Sequence, residues 1–101
     1  MSETIDKLVK TIRSRKGKNI NDSYTALLLS KGTIYCQDKL KEEMDELYEA
    51  IKNKKNTIHE TADVIYHLLV VLESAGINFN EATKELERRV GTSGLEEKKN
   101  R

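Results

Sequence analysis

Two pairs of acids between residues 39 and 72, KLKEEMDELYEAIKNKKNTIHETADVIYHLLVVL, have spacing that could do chemistry. Glu43 stands with Glu46 and Glu60 with Asp63, each pair at i, i+3. Residues three apart on a helix are side-chain neighbours. The second pair sits in a segment apolar on nearly every side. At ~100° per residue, Ala62, Ile65, Leu68, Leu69, Val71 and Leu72 spread over most of the circumference. A narrow stripe stays polar, made of Glu60, Asp63, His67 and Ser74 with Val70 among them. A helix so apolar is expected to be buried. Buried acids must be paired or bind a cation. No lysine or arginine lies between Lys55 and Lys84, so the stripe cannot neutralise itself. Four carboxylates and water form an all-oxygen site that suits Mg²⁺, with Mn²⁺ the alternative, rather than zinc.

These acids need two helices to position them. Leu40, Met44, Leu47 and Ile51 recur at i, i+4, i+7 and i+11, the seam of an amphipathic helix from Thr33 to Asn53. Glu43 falls about 60° off that seam and Glu46 about a further 60° out. If this helix packs antiparallel on the next through the turn Lys54-Lys55-Asn56, the four acids meet. Thr57 to Glu60 also reads as a capping box, a structural alternative for Glu60 that leaves Asp63 unexplained. His67, one turn after Asp63, is expected to serve as a hydrogen-bond partner behind the acids rather than as a ligand. His59 is expected to be exposed near the turn.

The flanking elements are helical too. Residues 3 to 15 form a helix with Ile5, Leu8, Val9 and Ile12 inward. Asp22 or Ser23 caps a short helix from Tyr24 to Ser30, closed by Lys31-Gly32. Ser23, Tyr24 and Thr25 gather three hydroxyls at that helix start, where an anion could bind, although capping alone accounts for Ser23. The central helix ends at Ala75-Gly76. Asn80 or Asn78 caps a helix reaching Val90, with Ala82, Leu86 and Val90 inward. Gly91 to Gly94 breaks it, and Ser93 to Glu96 is a second capping-box pattern.

Composition sets the limits. Over 101 residues, 35% are charged and 37% hydrophobic, with no proline and five glycines. With helical periodicity this predicts an all-α fold, a four- to five-helix bundle in one domain spanning 1–101, completed by homodimerisation. The net charge of +1 offers no footprint for nucleic acid or an acidic membrane. A single cysteine, Cys36, permits no internal disulfide and fits a reducing compartment. No signal-peptide pattern is present, and the longest apolar run falls short of the ~20 residues that cross a bilayer. The expectation is a cytoplasmic protein.

The pattern E-x-x-E at 43–46, thirteen residues, then E-x-x-D at 60–63 resembles that of the all-α nucleoside-triphosphate pyrophosphohydrolases. Three further stretches narrow the resemblance: Ser23-Tyr24-Thr25 followed by Lys31-Gly32; Glu60 to Leu69; and Glu85-Leu86-Glu87-Arg88-Arg89 running into Gly91 to Lys98. They are similar to the phosphoribosyl-ATP pyrophosphohydrolase family, the second step of histidine biosynthesis, over nearly the whole chain after Arg15. Lys41 and Asp22 depart from it, standing where the family has a glycine and a small residue. Some members carry a fused cyclohydrolase, which is not expected here because the zinc-ligand cysteines are missing. The resemblance implies a hydrolase that splits the α–β phosphoanhydride of phosphoribosyl-ATP into phosphoribosyl-AMP and pyrophosphate. It implies Mg²⁺ on Glu43, Glu46, Glu60 and Asp63, with Glu43 or Glu46 handling the proton of the attacking water. Lys31, Lys39, Arg88, Arg89 and Lys98, with the backbone of Ser93-Gly94, are the candidate phosphate contacts. Two other readings compete: a house-cleaning nucleotide pyrophosphohydrolase of the same superfamily, and a non-catalytic helical dimerisation module.

Overall fold

The computed structural model describes residues 3–91, and all five of its elements are helices: α1 (Glu3–Ser14), α2 (Tyr24–Lys31), α3 (Thr33–Asn53), α4 (Thr57–Ser74) and α5 (Phe79–Val90). Local chemistry sets their ends. Acids Glu3 and Asp6 open α1 and Arg13 closes it, matching the helix dipole. Ser23, not Asp22, caps α2, its hydroxyl accepting from the Ala26 N–H at 3.0 Å. Gly32, at φ 93°, turns the chain from α2 straight into α3. Asn78, not Asn80, caps α5 through the Asn80 N–H at 2.8 Å.

The centre of the molecule is the α3–α4 hairpin. Its turn is short because Lys54 and Asn56 both adopt left-handed backbone, at φ 55° and 60°. The register is antiparallel: Thr33 and Ser74 hydroxyls bond at 2.8 Å at one end, and Thr57 donates to the Ala50 carbonyl at 3.4 Å at the other. The Thr57–Glu60 capping box is not made. Asn56 occupies the cap position without a side-chain bond, so the Glu60 carboxylate does no capping work.

The inner line of α3 differs from the expected seam. Cys36 and Ala50 are buried with Leu40 and Leu47 half-buried, whereas Met44 and Ile51 are exposed. That line, at i, i+4, i+11 and i+14, contains Glu43 in its middle, so Glu43 points at α4 rather than off to one side. Opposite it, the polar stripe of α4 faces inward, with His67 and Val70 buried.

The core lies at the other half of the hairpin, where Ile12, Leu28, Cys36, Leu69, Val70 and Val71 pack together. Here α1 and α2 cover α3 and α4, and Arg13 on α1 binds Glu73 on α4 at 3.0 Å. Cys36 is a packed core thiol donating to the Leu28 carbonyl at 3.2 Å. The chain bends by 116° into α5. The expectation that Ala82, Leu86 and Val90 point inward is corrected: all three are exposed, and Phe79 and Thr83 make the inward contacts. No single helix among the described residues is long and apolar enough to cross a membrane.

Candidate active site: a carboxylate cluster on the hairpin

Glu43 and Glu46 from α3 meet Glu60 from the first turn of α4, and one oxygen of each lies within 4.8 Å of the others. Glu60 also belongs to a second group, in which ligand atoms of His59, Glu60 and Asp63 lie within 4.8 Å of one another. The hairpin thus brings all four predicted acids to its open half. Two carboxylate oxygens there, Oε2 of Glu43 and of Glu60, are buried with no hydrogen-bond partner. A buried oxygen left in this way costs about 1–3 kcal/mol or more unless something binds it.

Neighbouring charge does not relieve the site. Among the described residues, none of the four acids is paired with a lysine or arginine, and their close basic neighbours are histidines. His67 Nε2 stands 3.8 Å from Glu43 Oε1, too far for a hydrogen bond. Burial pushes its imidazole below the ordinary value against the pull of Asp63. Glu43 is pushed up to about 7, first by burial, then by a hydrogen bond and repulsion from Glu46, then by Asp63 and Glu60. A divalent cation fits these residues: the donors are hard oxygens, two are orphaned, and the crowding that raises Glu43 would be reversed by positive charge.

Aromatic side chains stand behind the cluster. His67 is wedged edge-on between Tyr66 at 5.1 Å and Tyr24 at 6.1 Å between ring centroids. Tyr66 in turn hydrogen-bonds Thr25. Tyr24 and Thr25 therefore reach the site from α2, while Ser23 is committed to its cap. Of the basic candidates, Lys39 pairs with Glu42 at 3.4 Å and lies over the Tyr35 ring, as does Lys31. Arg88 and Arg89 close on Glu85 at 2.6 and 3.2 Å, on the outer face of α5. Ser93, Gly94 and Lys98 lie outside the described residues.

Two features went unread in the sequence. A cleft of about 400 Å³ adjoins the cluster, walled by Glu46 and Glu60 together with Glu49, Asn53, Lys55 and Asn56. The hairpin turn is thus part of the site's rim. His59 is exposed as expected, yet its Nε2 lies 3.3 Å from Asp63 Oδ2. The i, i+4 spacing of the two residues was the available signal.

Comparison with known proteins gives a consistent result. The family described as phosphoribosyl-ATP pyrophosphohydrolase matches residues 5–90. The phosphoribosyl-ATP pyrophosphatase of Rhodobacter capsulatus is 41% identical over 96 residues, covering 93% of this chain and 93% of that protein. That of Roseobacter denitrificans is 43% identical over 100 residues, covering 97% and 95%. A more distant relative of the same name, from Rhodopirellula baltica, is 38% identical over 102 residues, covering 96% and 85%.

Proposed function

The chain belongs to the phosphoribosyl-ATP pyrophosphohydrolase family, and on that premise we propose that it hydrolyses phosphoribosyl-ATP between the α and β phosphates, releasing pyrophosphate. The reading is carried by the pair of orphaned carboxylate oxygens in a cluster whose acids have no lysine or arginine ion pair among the described residues. A strongly anionic triphosphate would be repelled by such a cluster alone.

Glu43, Glu46, Glu60 and Asp63 would hold Mg²⁺, with Mn²⁺ a workable substitute. Once bound, the ion supplies charge neutralisation and a Lewis acid for the phosphoryl oxygens. The protein's own groups do the rest. Glu43 or Glu46 accepts the proton of the attacking water. His67, flanked by Tyr24 and Tyr66, stands beside Glu43 without a hydrogen bond to it. Tyr24 and Thr25 form the α2 wall of the site. Lys31, Lys39, Arg88, Arg89 and Lys98 with Ser93-Gly94 remain the proposed phosphate contacts. The described basic groups would exchange their present acidic or aromatic partners for substrate.

The working unit is a cytoplasmic homodimer of one domain per chain. On α4, Ile58 is 84% exposed and Ile65 and Leu68 share its face. On α3, Met44, Tyr48 and Ile51 form a second uncovered stripe. Such apolar surface on the two site-bearing helices favours burial against a second copy.

The test is pyrophosphate release from phosphoribosyl-ATP by the purified protein, with and without Mg²⁺, beside a panel of deoxynucleoside triphosphates. Mg²⁺-dependent turnover of phosphoribosyl-ATP far above that of the panel supports the assignment. Preference for the panel would transfer the chain to a house-cleaning role, and no turnover of either would remove the catalytic reading.

A further inference from the structure

The ligand set is not one symmetrical cluster. Glu43, Glu46 and Glu60 form a purely oxygen-lined group, whereas His59, Glu60 and Asp63 form a group that includes an imidazole. Glu60 belongs to both. The two groups also differ in access. Glu43 is largely enclosed by the hairpin, while the His59 side chain is 74% exposed and Asp63 38%.

The two histidines of the chain have different relations to the acids. His67 is fixed in an aromatic slot and stands 3.8 Å from the nearest Glu43 oxygen. His59 is in the first turn of α4, one turn before Asp63, with Nε2 turned to that carboxylate at 3.3 Å. Glu60, the residue common to both groups, has its Oε2 buried and without a hydrogen-bond partner.

We propose that His59 is a nitrogen ligand to a cation held at the outer edge of the cluster with Glu60 and Asp63, and that it widens the site's metal preference beyond Mg²⁺. The inference rests on the metal-dependent reading above. Imidazole contributes little to binding hard Mg²⁺ but strengthens binding of borderline ions such as Co²⁺ and Zn²⁺. The outer position therefore takes Co²⁺ or Zn²⁺ more tightly than its carboxylates alone would allow. The inner oxygen-lined group has no such bias.

The experiment uses Mg²⁺ and Co²⁺ as probes on the whole chain without nucleotide, comparing wild type with His59→Gln. Calorimetry gives both affinities, and proton NMR of the Co²⁺ form shows a contact-shifted imidazole N–H when a histidine ligates. Wild type should show that resonance and His59→Gln should lack it. Co²⁺ affinity should fall on the order of tenfold or more in the variant, with Mg²⁺ affinity held within about twofold. Because His59 is exposed, the variant is expected to fold, and its melting temperature checks this. A resonance that survives in His59→Gln assigns the nitrogen to His67 and overturns the proposal. So does an equal loss of Co²⁺ and Mg²⁺ affinity, or Co²⁺ binding to wild type with no imidazole signal. In these outcomes the carboxylate site itself still stands. If wild type binds neither ion, the metal-site reading fails and the proposal fails with it.

Discussion

Glu43 in the hairpin and Glu85 on α5 are the same residue in opposite electrostatic settings. Glu85 receives Arg88 and Arg89 from the next turn, and their hydrogen bonds hold its carboxyl down to about 2. Glu43 receives burial and three more acids, and rises to about 7. The α5 group meets its electrostatic demand from its own helix. Among the described residues, the hairpin group has no lysine or arginine partner to meet it. The difference shows why a count of acids locates no site: what matters is whether a basic partner stands within reach.

The sharpest way to break this contrast is to remove acids from each region and measure turnover of phosphoribosyl-ATP. Glu46→Ala and Asp63→Ala should each lower kcat/KM by roughly a thousandfold or more, since each removes a proposed ligand from a cluster that acts as a unit. Unchanged turnover in both would overturn the site.

Next in size is the response to metal. Saturating Mg²⁺ at about a hundred times its Kd should stabilise the fold by about 2.7 kcal/mol. That gain should be lost in Glu60→Gln, as read by thermal melting with and without the ion. An equal gain in the variant would place the binding elsewhere.

Smaller still is the effect of pH on the metal-free protein. Glu43 holds its proton up to about 7 when folded, against an ordinary 4.5. Between those values the native state binds more protons than the unfolded chain, so Glu43's contribution to stability is present at low pH and is lost as pH rises. The melting temperature of wild type should decline from pH 5 to 7 relative to Glu43→Gln, and parallel profiles would refute it. Glu85 has the opposite sign, its contribution being lost only as pH falls toward 2.

The smallest effect belongs to Glu85→Gln, whose exposed ion pairs should shift the melting temperature by no more than about two degrees at neutral pH. A shift comparable to the Mg²⁺ effect would erase the distinction between the regions.

Much of the fold was legible in the sequence, because helix ends are written in local chemistry. Thr33–Asn53 emerged with its predicted bounds, and Ser23 and Asn78 are the caps at two of the predicted starts. What periodicity could not decide was which apolar stripe faces inward. Helix α3 carries two, Cys36-Leu40-Leu47-Ala50 and Met44-Tyr48-Ile51, and only tertiary packing selects the first. Choosing a seam through Met44 and Ile51 placed Glu43 about 60° from its true direction. The same ambiguity misdirected Ala82, Leu86 and Val90 on α5, whose apolar face the described chain does not cover. The Thr57–Glu60 capping box failed for another reason. Left-handed Asn56 moved the cap one residue upstream, a turn conformation more usual for glycine.

The tight left-handed turn at Lys54 and Asn56 has a kinetic consequence. Positions 43, 46, 60 and 63 belong to one contiguous hairpin, so assembling them requires closing only a short loop. A chain still lacking α1 and α5 packing can present the same carboxylates. Mg²⁺ should therefore accelerate refolding in stopped-flow experiments, not merely slow unfolding, as happens when a ligand's contacts already exist at the rate-limiting barrier.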